Sequence, residues 1–249
     1  MNFRIQISGL KKQFGTNQVL DGVDLEIASD TITAIIGKSG TGKSVLLKLI
    51  AGIYSIDAGT IEGVHILDSG ETVPIALNEM GFSYMFQNNA LFDSLPAFEN
   101  VALPLNEGKS LVDPLMIRET VEELLEQLDL SSARDRYPGE LSGGMNKRVA
   151  FARALVPQPK VVLFDEPTTG LDPERKFTVF DMIEQYKEVF GFSALLVSHD
   201  IPDVYSIVDS IAWLDQGKIQ FWGTPEEIES IDEALIKNYL KTGRFVGKS

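Results

Sequence analysis

Gly37-Lys38-Ser39-Gly40-Thr41-Gly42-Lys43-Ser44 fits the pattern G-x-x-x-x-G-K-[S/T], and its flanks give that pattern a mechanism. Before it, Thr31-Ile32-Thr33-Ala34-Ile35-Ile36 is a β-branched apolar run that reads as a buried strand. After it, Val45-Leu46-Leu47-Lys48-Leu49-Ile50-Ala51 reads as a short helix stopped by Gly52. Strand, glycine loop and helix in this order form a cradle for nucleotide phosphates. The glycines let backbone N–H groups turn toward phosphate oxygens, and the N-terminus of the helix adds a partial positive charge. In such a cradle Lys43 reaches the β- and γ-phosphates, and Ser44 is placed to ligate Mg2+.

Further stretches decide which kind of nucleotide protein this is. Leu141-Ser142-Gly143-Gly144-Met145 is followed by Lys147-Arg148-Val149-Ala150-Phe151-Ala152-Arg153-Ala154-Leu155. An apolar run, Val161-Val162-Leu163-Phe164, leads into Asp165-Glu166-Pro167-Thr168, and Gly170-Leu171-Asp172 comes soon after. Leu195-Leu196-Val197-Ser198-His199-Asp200 is a strand pattern ending in a histidine. Gln87 follows Gly81-Phe82-Ser83-Tyr84-Met85-Phe86. Any one of these is weak alone. All of them in this order, together with the glycine loop, resemble the ATP-binding cassette (ABC) ATPases over essentially the whole chain.

That resemblance implies an α/β fold of the P-loop NTPase kind, with a parallel core sheet, an antiparallel β-layer and a helical subdomain. It implies ATP and Mg2+ as cofactors. Gly37, Lys38, Ser39, Gly40, Thr41, Gly42, Lys43, Ser44 and Val45 would hold the phosphates, and Asp165 would hold Mg2+ directly or through water, with Ser44 and Gln87. Glu166 would polarise the attacking water, and His199 would contact the γ-phosphate. Gln87 and Lys43 complete the catalytic set. Phe14 fits the position whose ring stacks on adenine, although an isolated Phe is more often core. Ser142, Gly143 and Gly144 present a hydroxyl and free amides at a helix N-terminus, an anion site. In the family they meet the γ-phosphate of ATP held by the opposite subunit, and Asp172 fits the D-loop and is counted among the ATP-binding residues. One glycine loop and one signature per chain then require two copies, so a head-to-tail homodimer is expected.

Finer details resemble the Mla/Mce-associated branch, the ATPases of bacterial phospholipid transporters. These are Val45 in the glycine loop, Met85-Phe86-Gln87-Asn88-Asn89-Ala90-Leu91-Phe92-Asp93-Ser94-Leu95 with Phe98-Glu99-Asn100-Val101, and Met145 in place of the usual Gln. Asp30 departs from a usual Gly, and Asn146 is unusual in the signature helix. The branch implies integral-membrane permease subunits, an Mce-domain substrate-binding protein and a small regulatory subunit as partners, at the cytoplasmic face of the inner membrane. Ala90-Leu91-Phe92 would face the permease; alternatively Leu91 and Phe92 are buried in the domain. An importer for another solute and an assembly factor are the competing functions.

Composition narrows the partners. The chain has 249 residues with 36 acidic against 22 basic, a net charge of −14, which argues against nucleic acid and anionic lipid as direct ligands. There is no cysteine, so no disulfide or thiolate site exists. The two histidines, His65 and His199, are too separated in sequence to suggest zinc. No apolar run approaches the roughly 20 residues needed to span a bilayer, and the N-terminal residues lack the apolar core of a signal peptide. Membrane attachment is therefore expected through a partner.

One domain is expected over 1–249. Segments 1–88 and 159–224 form a RecA-like core with the β-layer, 89–158 the helical subdomain, and 225–249 a helical tail. The β-layer is expected to hold short strands at 4–7, 18–20, 23–27 and 59–66. Core strands are expected at 31–36, about 82–86, 161–165 and 193–198, with a last hairpin at 211–223 that turns at Asp215-Gln216-Gly217-Lys218. Asp113 caps a helix that starts at Pro114, and Val121, Leu124, Leu125 and Leu128 form its buried stripe.

Overall fold

The computed structural model describes residues 2–107, 113–201 and 203–230, so most of the expected helical tail lies outside the described residues. Strands β1 (Phe3–Phe14) and β2 (Asn17–Ala28) form a long antiparallel hairpin. Next come β3 (Ile32–Ile36), α1 (Lys43–Ile50), β4 (Ala58–Ile66), β5 (Thr72–Ile75), the short α2 (Leu77–Met80) and β6 (Phe82–Met85). Helices α3 (Ala97–Asn106), α4 (Pro114–Gln127) and α5 (Gly143–Leu155) follow. The chain then runs through β7 (Val161–Asp165), α6 (Pro173–Phe190), β8 (Ser193–Ser198), β9 (Ser210–Asp215), β10 (Lys218–Gly223) and α7 (Pro225–Ser230).

Two sheets result. An antiparallel layer has the order β2-β1-β4-β5, and a six-stranded core has the order β10-β9-β3-β8-β7-β6. All core pairings are parallel except β10 with β9. The core strands read as continuous apolar runs because both faces are covered. Ala34, Ile36, Val162, Phe164, Ala194 and Leu196 pack toward the helical side. Ile35, Val161, Leu163, Leu195 and Val197 pack toward α1 and the β-layer. In α4, Val121, Leu124 and Leu125 are buried as the stripe requires, and the Asp113 carboxylate accepts from the Leu115 amide at 2.9 Å.

Two expectations need correction. The short strands at 18–20 and 23–27 are one strand, because Gly22 (φ +89°) absorbs a bulge between the pairs Leu10–Val23 and Lys11–Asp21. The first strand likewise continues past residue 7 to Phe14. The hairpin expected at 211–223 is present as β9 and β10, and β9 also joins the core sheet by pairing in parallel with β3, Ile35 opposite Ala212. Strand β5 was not foreseen; with Pro74 in it, it forms the sheet edge. Asp30 has a left-handed backbone (φ +59°), the conformation that favours the glycine expected at this position.

Asn100 of α3 is fully buried and fastens the loop before that helix. Its Oδ1 accepts from the Phe92 amide at 2.8 Å, and its Nδ2 donates to Leu95 O at 2.8 Å and Phe92 O at 3.1 Å. Removing the amide strands a buried N–H and several carbonyls. Asn100→Ala should therefore cost about 2–3 kcal/mol of stability, read as a lowered midpoint in urea denaturation. A midpoint unchanged within error would show that water replaces the amide freely.

Candidate functional site

Sheet register brings the sequence motifs together. In the pairing of β3 with β8, Ile36 stands opposite Ser198, so Gly37 and His199 leave the sheet side by side. In the pairing of β7 with β8, Asp165 stands opposite Val197, so Glu166 leaves at the same edge. In the pairing of β6 with β7, Met85 stands opposite Phe164, which directs Gln87 to that edge too. Ligands of open parallel sheets dock beyond these carboxyl ends.

The glycine loop lies between sheet and helix. Gly42 (φ +100°) precedes α1, and a Cβ there would come within 2.8 Å of Val19 Cγ1. Only glycine permits this approach of loop to β-layer. Lys43 is buried and donates to the loop carbonyls of Gly37 at 3.0 Å and Lys38 at 2.9 Å. Burial pulls its ammonium below the usual lysine range, and the carboxylates of Glu166 and Asp165 oppose that. The first amides of α1 have no partner within the helix, which suits them to anionic oxygens. Val45 places one of these amides while its side chain packs partly into the β-layer side of the core.

Asp165 ends β7 on the α1 face. The Ser44 hydroxyl donates to its Oδ1 at 2.6 Å, and the Tyr84 hydroxyl donates to its Oδ2 at 2.6 Å. Among the described residues no group of three or more His, Cys, Asp or Glu gathers as a metal cage. A hydroxyl and one carboxylate, both hard oxygen donors, suit Mg2+, which keeps waters and phosphate oxygens as its other ligands. Burial and the bond to Asp165 push the Tyr84 phenol up, so it stays a donor.

Glu166 sits at φ +50°, an unusual backbone state for a non-glycine residue, and its amide is held by Val197 O at 3.1 Å. The Thr169 hydroxyl donates to its Oε2 at 2.9 Å. His199 Nδ1 lies 3.7 Å from the same oxygen, an ion-pair distance rather than a hydrogen bond. Behind His199, the buried Asp200 pairs with Lys176 of α6 and accepts from the Thr168 hydroxyl. This cluster ties the segments after β7 and β8 to α6.

The remaining predicted residues come from other parts of the fold. Phe14 is exposed at the tip of the first hairpin, with its ring edge-on to Tyr54 at 5.5 Å, so it is not core. Ser142 caps α5, accepting from the Met145 amide at 3.2 Å, and leaves the Gly143 and Gly144 amides at an exposed helix N-terminus. Asp172 caps α6, accepting from the Arg175 amide at 3.0 Å. Gln87, Ser142, Gly143, Gly144, Thr169, Leu171 and Arg175 line a common cavity of about 540 Å³. Its lining comes from the loop after β6, the signature and α6, not from Gly37–Ser44. Sequence reading missed Tyr84, Thr169, Asp200 with Lys176, and Arg153. Arg153 of α5 donates to Ala90 O at 2.6 Å and also to Asn89 O, clasping a loop whose residues 89 and 90 both have positive φ. No motif spacing marks such contacts.

The contact with the Glu166 carboxylate raises the His199 pKa, and burial opposes it; the same contact lowers Glu166. On the histidine side, the stabilisation is full below the ordinary value of 6.5 and is lost as pH rises through the raised value. On the glutamate side, it is present above the ordinary 4.5 and is lost as pH falls through the lowered value. The pair therefore contributes most between those two ordinary values. In an NMR titration of the imidazole, His199 should titrate above 6.5 in the parent and fall back toward that value in Glu166→Gln. Identical titration curves would remove the pairing.

Comparison with known proteins agrees with this geometry. Residues 20–169 match the family model described as ABC transporter. The sulfate/thiosulfate import ATP-binding protein CysA of Bacillus cereus is 37% identical over 228 residues, covering 90% of this chain and 62% of that protein. The chain thus spans less than two thirds of that relative. The "Probable ribonucleotide transport ATP-binding protein mkl" of Mycobacterium tuberculosis is 33% identical over 252 residues, covering 99% of this chain and 68% of that protein. A dimeric ATP-binding cassette solved in a post-hydrolysis state with ADP and Pi superposes with a TM-score of 0.70 at 26% identity, covering 88% of this chain and 98% of that one. By sequence, by fold and by the placement of its motifs, the chain belongs to the ATP-binding subunits of ABC transporters.

Proposed function

We propose that this chain binds and hydrolyses ATP with Mg2+ as the energising subunit of a membrane transporter, acting as a homodimer on permease subunits. The observation that carries this reading is the convergence of Lys43, Ser44, Asp165, Glu166 and His199 on one sheet edge. Phosphoryl transfer needs positioning and charge neutralisation more than covalent chemistry. Lys43 and the loop amides bind the β- and γ-phosphates. Mg2+, when bound, neutralises phosphate charge beside Ser44 and Asp165. Glu166 orients and deprotonates the attacking water, and His199 orients Glu166 and meets the γ-phosphate. Phe14 stacks on the adenine. The signature amides of Ser142–Gly144 complete the site of the opposite subunit, since they open into a cavity that the chain's own glycine loop does not line, and Asp172 at the start of α6 contacts the ATP as well.

For cargo we infer phospholipid, on the branch resemblance of the loop after β6 and of the signature. An Mce-domain protein and a small regulatory subunit would then join the permease at the cytoplasmic face of the inner membrane. The loop supports a docking role: Phe92 is 50% exposed while Leu91 packs against the helical core. Import of a small solute is the second reading, favoured by relatives named as importers of sulfate/thiosulfate and of Fe(3+) ions.

Glu166→Gln should keep ATP binding and lower steady-state hydrolysis by about 10²–10⁴-fold, the worth of a positioned base. Hydrolysis near the parent rate would take Glu166 out of the reaction. Phe92→Asp should leave ATP binding intact and weaken co-purification with the permease by several kcal/mol, because a carboxylate is buried unpaired in the contact. Normal assembly would reject the docking site. ATP-dependent transfer of phospholipid between vesicles by the assembled complex tests the cargo, and uptake of sulfate or Fe(3+) with no lipid transfer would favour the second reading.

A further inference from the structure

Asp165 is gripped from two sides, and one of the grips belongs to no motif. Ser44 comes from the glycine loop. Tyr84 comes from β6, in register with Leu163 and thus on the same α1-side face of the sheet as Asp165. Its hydroxyl donates to Oδ2 at 2.6 Å while Ser44 donates to Oδ1 at 2.6 Å, so both carboxylate oxygens are fixed. The Tyr84 ring is held in turn, packed against the core on that face and against Phe86 at a centroid distance of 4.6 Å. Phe86 directly precedes Gln87.

We propose that Tyr84 is a positioning residue for the divalent-cation site, aiming the Asp165 carboxylate so that it and Ser44 together receive the ion. This rests on the nucleotide-site reading above. A carboxylate held by two donors is fixed in rotation, and such outer partners of a ligand are typically worth about 10–100-fold in metal affinity. Because Tyr84 also abuts the residue before Gln87, the same side chain joins the aspartate end of the site to the start of the loop after β6.

Tyr84→Phe removes the hydroxyl and keeps the ring. The probe is Mn2+, which shares the oxygen-ligand preference of Mg2+. It is titrated into the complex of the chain with the non-hydrolysable analogue AMP-PNP, and free ion is read from its EPR signal. The variant should bind Mn2+ about tenfold more weakly. Its affinity for the analogue in EDTA and its melting temperature should stay close to the parent's, which separates positioning from a structural role. Unchanged Mn2+ affinity would overturn the proposal. Equal weakening of analogue binding in EDTA would also overturn it, by assigning Tyr84 to the shape of the nucleotide pocket. If the parent chain binds Mn2+ no better than free AMP-PNP does, or if Asp165→Asn leaves Mn2+ binding unchanged, the reading of the cation site itself fails.

Discussion

The register of three parallel strands is the constraint on which the rest of the molecule depends. Ile36 opposite Ser198, and Asp165 opposite Val197, set the ends of β3, β8 and β7 level. Slipping any strand by one residue would exchange its two faces and misplace the group that follows it. The pairing is secured because both faces are buried: Phe164, Ala194 and Leu196 belong to one core, and Leu163, Leu195 and Val197 to the other. Apolar burial thus holds five polar groups in one place, although none of them contributes much to it.

Around that edge the polar contacts form a second frame. Lys43 is satisfied by the carbonyls of its own loop, Ser44 and Tyr84 hold Asp165, and Thr169 holds Glu166. Lys43 and Glu166 are tethered within their own loops and Asp165 from two other elements, so the geometry exists before any ligand arrives. Such preorganisation is what electrostatic catalysis draws on. The left-handed backbone at Glu166 belongs to the same pattern, strain tolerated where the surroundings over-determine the conformation.

The helical subdomain reaches back to this frame through basic side chains of α5. Arg153 clasps the loop carbonyls of Asn89 and Ala90, and Lys147 donates to Pro167 O, one residue beyond Glu166. Both cations are partly buried and pulled below their usual pKa ranges by desolvation. One helix therefore touches the loop proposed to meet a permease, the segment beside the proposed base and, through its N-terminus, the signature amides. A shift of α5 would be felt at all three places, a physical route by which their states could bias one another.

What the sequence by itself determined is the set of local patterns. The glycine loop between an apolar strand and a helix was legible because each element carries its own signal: β-branched residues, glycines and helix periodicity. So were the capping of α4 by Asp113, its buried stripe, the start of α5 at Ser142 and the chain positions of Asp165, Glu166 and His199. These features depend on residues within a few positions of one another. Only the tertiary structure decided contacts between distant segments: the merging of two short strands through the bulge at Gly22, the joining of β9 to β3, the hold of Asn100 on residues 92–96, and the donation of Tyr84 to Asp165 across 81 positions. Alternation tells which side of a strand a residue faces, but not which strand lies beside it. That choice rests on how the whole chain buries its apolar surface, and no local window contains it.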